Sequence, residues 1–176
     1  MWSPVEKTAL AEAEVEYEDV VSTQIDVAFE IVEAPNAPEL VGAHAVIWTT
    51  TPWTIPVNQA LAYGPEVDYV VKSYRWDNGT KSAGPFLFAR QLELTMLKRL
   101  GIPKVQWGDE NSSPPQTQLH WSGLGNDLAG TTARHPMHHL GGFFAKLRPF
   151  LPGDFVTTDA GTGLVHMAPD HGEDDF

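Results

Sequence analysis

The sequence predicts a fold between α/β and mainly β: a curved, barrel-like sheet of short strands with a few peripheral helices. Three observations predict it. Short runs rich in β-branched and aromatic residues recur along the chain, among them IDVAFEIV, AVIW and VDYVVKSY. One stretch alone carries a clear helical period. Clusters of Pro, Gly, Asn and Asp separate the runs and leave little room for long elements.

Taken in order, the elements are these. The acidic opening segment alternates apolar with acidic residues from Ala9 to Tyr17, which favours a strand with one wet face, against the helix preference of its alanines and glutamates. Ile25 to Val32 is a second strand, stopped by the turn cluster from Ala34 to Pro38. AVIW after His44 is a short buried strand, and Val67 to Tyr74 is another. Phe88, Leu92, Met96 and Leu100, with Leu97 beside them, predict a helix over Phe86 to Leu100, with Pro85 in its first turn and Gly101 and Pro103 ending it. Gly108 to Gln118 is polar and proline-rich, hence a loop, and Asp154 to Thr158 is a last strand.

Composition bounds the function. The 176 residues, 42% hydrophobic with six tryptophans, suffice for one sizeable core. With no cysteine, disulfides, thiolate metal sites and cysteine nucleophiles are excluded, which fits a reducing cytoplasm. No apolar run approaches the roughly 20 residues that span a bilayer, and no signal peptide is seen, so a soluble intracellular protein without a membrane partner is expected. A formal charge of −12 argues against a broad nucleic-acid face but permits contact with a nucleic-acid end.

Two stretches hold the chemistry. WTTTPWTIPVN (Trp48 to Asn58) sets four threonines between tryptophans and prolines without a single charge. Its structural reading is a strand end turning through Pro52. Its functional reading is a row of hydroxyls beside aromatic walls, suited to a hydroxyl-bearing or ester ligand, with the Asn58 amide at the same surface. GTGLVHMAPDHGEDDF (Gly161 to Phe176) gathers histidines and carboxylates at the end of the chain. His166 and His171 with Asp170, Asp174 and Asp175 suit a zinc or manganese ion by ligand type but match no strong spacing. His171 and Asp170 also fit an ordinary turn around Gly172, and a buried aspartate would anchor a ligand ammonium. A chain ending on such a cluster is expected to be a piece of a longer protein. His44, His120, His135, His138 and His139 read as surface or core residues, His135-Pro136 being the one pair suited to lining a pocket. GxSxG and Walker motifs are absent, and Gly161-Thr162-Gly163 is too short for a dinucleotide loop.

Together, TTTPWTIPVN and GTGLVHMAPDHGEDDF resemble the paired signatures of the editing (CP1) domain inserted in bacterial-type isoleucyl-tRNA synthetases. The opening WSPVEKTALAEAEVEY resembles the segment where that insertion leaves the synthetic core, so residues 1–20 would be that segment and 21–176 the editing domain. The leucyl and valyl relatives carry TTRPxT, where this chain has Thr51 and Trp53. The synthetic signatures HIGH and KMSKS are missing, so no amino-acid activation is expected of this chain alone.

The resemblance implies the class Ia editing fold, and hydrolysis of valine mischarged onto tRNA(Ile), with valyl-adenylate as a second candidate substrate. One methylene distinguishes isoleucine from valine by only about 1 to 3 kcal/mol, a limit for which isoleucyl enzymes are themselves the standing example, and a second, smaller pocket then removes the error. It further implies catalytic roles for Thr49, Thr50, Thr51 and Asp175, the last holding the substrate ammonium. Trp48, Trp53, Thr54, Asn58 and His166 would bind substrate, with His166 excluding isoleucine. No metal or cofactor is implied for the domain, although the parent enzyme uses ATP and Mg. The implied partners are the valine-bearing 3′ acceptor end of tRNA(Ile) and the rest of the synthetase, the domain itself being a monomer. Lys98, Arg99, Lys104, Arg134, Lys146 and Arg148 would supply a local basic patch for the RNA end. Two other readings stay open: a non-catalytic module binding an amino acid or aminoacyl ester, and a metal-dependent hydrolase using His166, His171 and Asp175.

Overall fold

The computed structural model describes residues 2–3, 7–9, 21, 23–77, 79–102 and 115–169. In chain order its strands are β1 (Trp2–Ser3), β2 (Thr8–Ala9), β3 (Ile25–Glu33), β4 (His44–Thr49), β5 (Ala60–Tyr63), β6 (Asp68–Trp76), β7 (Lys81–Ala89), β8 (Gln116–Leu124), β9 (Thr132–Arg134), β10 (Arg148–Pro152) and β11 (Leu164–Met167). β1 and β2 form a small ladder of their own, and the other nine make one mixed sheet in the order β11-β5-β10-β9-β3-β4-β7-β6-β8. β10 with β5 and β4 with β7 pair in parallel; the remaining neighbours are antiparallel.

Alternation along the strands shows how the sheet curls. Phe29 and Ile31 of β3, Ala45 and Ile47 of β4, Leu61 and Tyr63 of β5, Tyr69 and Val71 of β6 and Leu87 of β7 all point into one cluster, with Phe150 and Leu164 from the far strands. The sheet bends around this cluster until β11, at one edge, lies against β4 near the middle. The buried Tyr69 hydroxyl fastens the closure: it accepts the Gly64 N–H at 3.0 Å and donates to the Gly163 carbonyl just before β11. The Ala89 N–H, at the end of β7, donates to the Thr162 carbonyl at 2.8 Å.

A second apolar cluster covers the opposite face of the central strands. Val46, Val70 and Phe88 pack there under Met96 and Leu97 of the helix α1 (Glu93–Arg99). Lys72 Nζ and the Tyr74 hydroxyl reach Glu93 of α1 at 2.6 and 3.1 Å, so the helix is tied to β6 by charge as well as by area. These central strands are covered on both faces, which is why AVIW and VDYVV read as nearly continuous apolar runs.

The curved, barrel-like, mainly β architecture agrees with expectation, as do the strands over IDVAFEIV, AVIW and VDYVVKSY. Three details differ. The helix begins at Glu93 after a 3-10 turn at Arg90–Leu92, because Phe86 to Ala89 belong to β7, where Leu87 and Phe88 bury on opposite faces. Phe88 shares the helix's four-residue spacing by coincidence of burial. The loop does not reach Gln118: β8 starts at Gln116, an edge strand whose exposed, polar composition hides its period. Asp154 to Thr158 is a turn rather than a strand, and β10 and β11 flank it. The alternating segment beyond Ala9 lies outside the described residues. Among the described residues no helix is long and apolar enough to cross a membrane.

Candidate active site

β4 delivers the threonine run to the rim of the curl. Thr49 continues the inward parity of Ala45 and Ile47 and is buried, whereas Thr50 and Thr51 emerge exposed. The chain then makes a tight 3-10 turn, Pro52–Val57, with a proline in its first turn and Pro56 inside it. Pro52 has no N–H to leave unpaired there. The hydroxyls organise one another. Thr49 Oγ1 accepts the Thr51 N–H at 3.1 Å and lies 3.1 Å from Thr51 Oγ1. Thr54, only 2% exposed, donates its hydroxyl to the Thr51 carbonyl at 2.8 Å.

The two motifs meet at Thr54. His166 sits on β11 opposite Leu61 of β5 and shares the inner face with Leu164. Its Nε2 is 2.9 Å from Thr54 Oγ1 across 112 residues of sequence. The single hydroxyl hydrogen of Thr54 is committed to Thr51, so in this contact the imidazole Nε2–H donates. Asn58 reinforces the junction: its buried amide nitrogen donates to the Ala60 carbonyl at 2.8 Å and to the Met167 carbonyl at 3.4 Å. The Gln59 N–H also reaches Met167 at 2.9 Å. Trp53 stands out from the turn, 66% exposed. Asp175, with Asp170, His171 and Asp174, lies outside the described residues.

Two supports behind this rim hold it through long-range contacts that spacing does not reveal. Arg99 of α1 binds both carboxylate oxygens of Asp26 at 3.0 Å and donates to the Gly161 carbonyl at 3.1 Å, and its guanidinium stacks 5.9 Å from the Trp48 ring. One side chain thereby fixes the start of β3, the end of β4 and the approach to β11 together. His135 lies fully buried behind the turn, its Nε2–H donating to the Ile55 carbonyl at 2.9 Å and its Nδ1 accepting the Met137 N–H at 3.0 Å. As His135-Pro136 suggested, the pair lines a cleft, of about 300 Å³, with Glu30, His44, Arg134 and His138.

Burial, chiefly, lowers the His135 pKa from its ordinary 6.5, against the raising effect of the Ile55 hydrogen bond; Arg148 and His138 lower it further. The unfolded chain therefore takes up a proton near 6.5 that the native imidazole refuses. Stability contributed by this group is complete above that pH and is lost as pH falls toward the depressed native value. Urea unfolding at pH 7.5 and 5.5 should show this loss, and His135→Gln should reduce the difference between the two.

The arginines expected in the basic patch are engaged within the fold. Arg148 is 2% exposed and donates to the Lys146 and Phe143 carbonyls while stacking on the Phe143 ring, Arg134 pairs with Glu30, and Arg99 is spent on Asp26. Lys98 and Lys146 alone are exposed, and Lys104 lies outside the described residues. Burial favours arginine at such places because its fork can satisfy several carbonyls at once, and composition does not reveal that.

No protein-family model matches the chain. Isoleucine–tRNA ligase of Zymomonas mobilis is 56% identical over 176 residues, covering 100% of this chain and 17% of that protein. Those of Gluconobacter oxydans and Agrobacterium fabrum are 49% and 45% identical with the same coverage. The chain is homologous, end to end, to one segment of the isoleucine–tRNA ligases. The chain spans about a sixth of the length of the relatives it matches. Its fold is also that of a solved structure described as the crystal structure of GlLeuRS-CP1, at a TM-score of 0.52 and 16% identity, over 82% of this chain and 52% of the other. At that identity the likeness is one of fold.

Proposed function

We propose that this chain is an editing domain of an isoleucine–tRNA ligase and hydrolyses valine esterified to the 3′ end of tRNA(Ile). The observation that carries the reading is the hydrogen bond between Thr54 and His166, which joins an uncharged hydroxyl strand to the histidine of the second motif. Homology to isoleucine–tRNA ligases supports the substrate class.

In this reading Thr49, Thr50 and Thr51 contact the ester and terminal ribose, and Trp48, Trp53, Thr54 and Asn58 shape the wall. Asp175 holds the α-ammonium by a charge-assisted contact. His166, pinned by Thr54, forms the side-chain wall that leaves space for valine and not for isoleucine. A water oriented by hydroxyls and by the substrate ribose attacks the carbonyl carbon. The bond to the ribose oxygen breaks, that oxygen takes up a proton, and valine and tRNA leave. In this reading the attacking water is activated by position, through the hydroxyls and the substrate ribose. A Thr49→Ala/Thr50→Ala variant should lose rate, and one that lost only binding would contradict this role.

Residues 1–20 then leave the synthetic core, 21–176 edit, and the parent, in the cytoplasm, supplies ATP and Mg chemistry and the main grip on tRNA. The domain works as a monomer without a cofactor or membrane. The test is incubation of the chain, and of a full-length ligase carrying it, with valyl-tRNA(Ile) and chelator. Hydrolysis that survives chelation is expected. Loss on chelation, restored by a metal ion, would favour a metal-dependent hydrolase, and binding without hydrolysis in both proteins would favour a recognition module.

A further inference from the structure

A second polar site lies away from the threonine rim, on the same face of β6. Along that strand Tyr69 and Val71 point into the core, and Ser73 and Arg75, two and four residues beyond Val71, continue the same face. Here the face turns from apolar to polar. Register places Gln118 opposite Ser73, and Arg75 between Gln116 of β8 and Ser82 of β7, so one row of polar side chains crosses three strands.

Both ladders are irregular at this point. Against β8, Val71 pairs with Trp121 and Lys72 with Leu119, leaving His120 as the extra residue of a bulge. Against β7, Lys72 pairs with Phe86 and Tyr74 with Ala83, so Ser73 faces the irregular Gly84-Pro85 step. Gly84 has φ +95°, and a Cβ there would stand 2.6 Å from the Lys72 carbonyl, so only glycine lets the strands approach. Bulges re-aim side chains, and here the outcome is His120 Nε2 at 2.8 Å from Ser73 Oγ.

The result is a cleft of about 430 Å³. In a chain with 23 acidic residues and a formal charge of −12, no carboxylate among the described residues lines it. Arg75 has no carboxylate partner among the described residues, unlike Arg99 and Arg134. A guanidinium and an imidazole suit a phosphate, and the hydroxyls of Ser73 and Ser82 with the amides of Gln116 and Gln118 suit vicinal sugar hydroxyls.

We propose that this cleft binds a ribose-phosphate unit, the phosphate between Arg75 and His120 and the sugar along the Gln116–Gln118 side. The site does not depend on the editing reading. Its test is histidine-ring NMR of the chain titrated with ribose 5-phosphate, a single-stranded trinucleotide and inorganic phosphate. The His120 resonances should shift saturably with the first two, the tighter of these showing whether a free phosphosugar or an RNA strand is the source. Arg75→Ala, an exposed position, should weaken binding about tenfold, while the His166 resonances stay in place in wild type and variant alike. A His120 signal that does not saturate, saturation unchanged in Arg75→Ala, or inorganic phosphate binding as tightly as the sugar phosphate would overturn the assignment.

Discussion

Gly163→Ala is expected to destabilise the chain by about 3 kcal/mol, the largest loss of stability foreseen for so small a change. Gly163 has φ +76°, where any side chain is strained, and an added Cβ would collide with the Ala89 Cβ at the end of β7. It cannot retreat, because its own carbonyl accepts the Tyr69 hydroxyl and its neighbour Thr162 accepts the Ala89 N–H. Gly161→Ala provides the control. Its φ is +75°, but the nearest atom to an added Cβ is Trp48 Cε3 at 3.7 Å, an ordinary contact. It should therefore cost only the conformational part, about 1 kcal/mol. Urea midpoints of the two variants measure the difference directly. Equal losses would mean that the closure of β11 onto β7 is looser than described.

Asp175→Ala is expected to reduce hydrolysis of valyl-tRNA(Ile) at least about 100-fold, with circular dichroism unchanged. The proposed role is to hold the α-ammonium, a contact that fixes the ester carbonyl against the threonine rim. Its loss removes both charge-assisted binding and alignment. Asp175→Asn keeps shape and one acceptor while losing charge, and should fall between wild type and alanine. Hydrolysis by Asp175→Ala at the wild-type rate would remove this residue from the site.

Much of the architecture was legible where one physical pattern dominated. IDVAFEIV alternates because β3 has one buried face, and its odd-numbered residues from Ile25 to Ile31 do turn inward. The uncharged run at the end of AVIW was legible as a strand end, since Thr49 keeps the strand's parity and Pro52 forces the turn. Less was legible where two patterns overlap. Phe88 and Leu92 satisfy a helical spacing although one lies in a strand, because strand and helix bury into the same two cores. The polar edge strand β8 carries little apolar period at all. Long-range partnerships left no local trace: neither Arg99 with Asp26 nor His135 with Ile55 follows from spacing, and the three arginines read into a patch each have partners within the fold. Thr54 and His166 were legible as candidates, each within its own motif. That they touch is a property of the curl.

The most direct measurement of the central claim compares deacylation of valyl-tRNA(Ile) and isoleucyl-tRNA(Ile) by wild type and His166→Ala in a full-length ligase carrying this segment. Wild type should hydrolyse the valyl ester and spare the isoleucyl ester, and the alanine variant should begin to hydrolyse both. A wild-type site that treats the two esters alike, or a His166→Ala variant that keeps the discrimination intact, would contradict it.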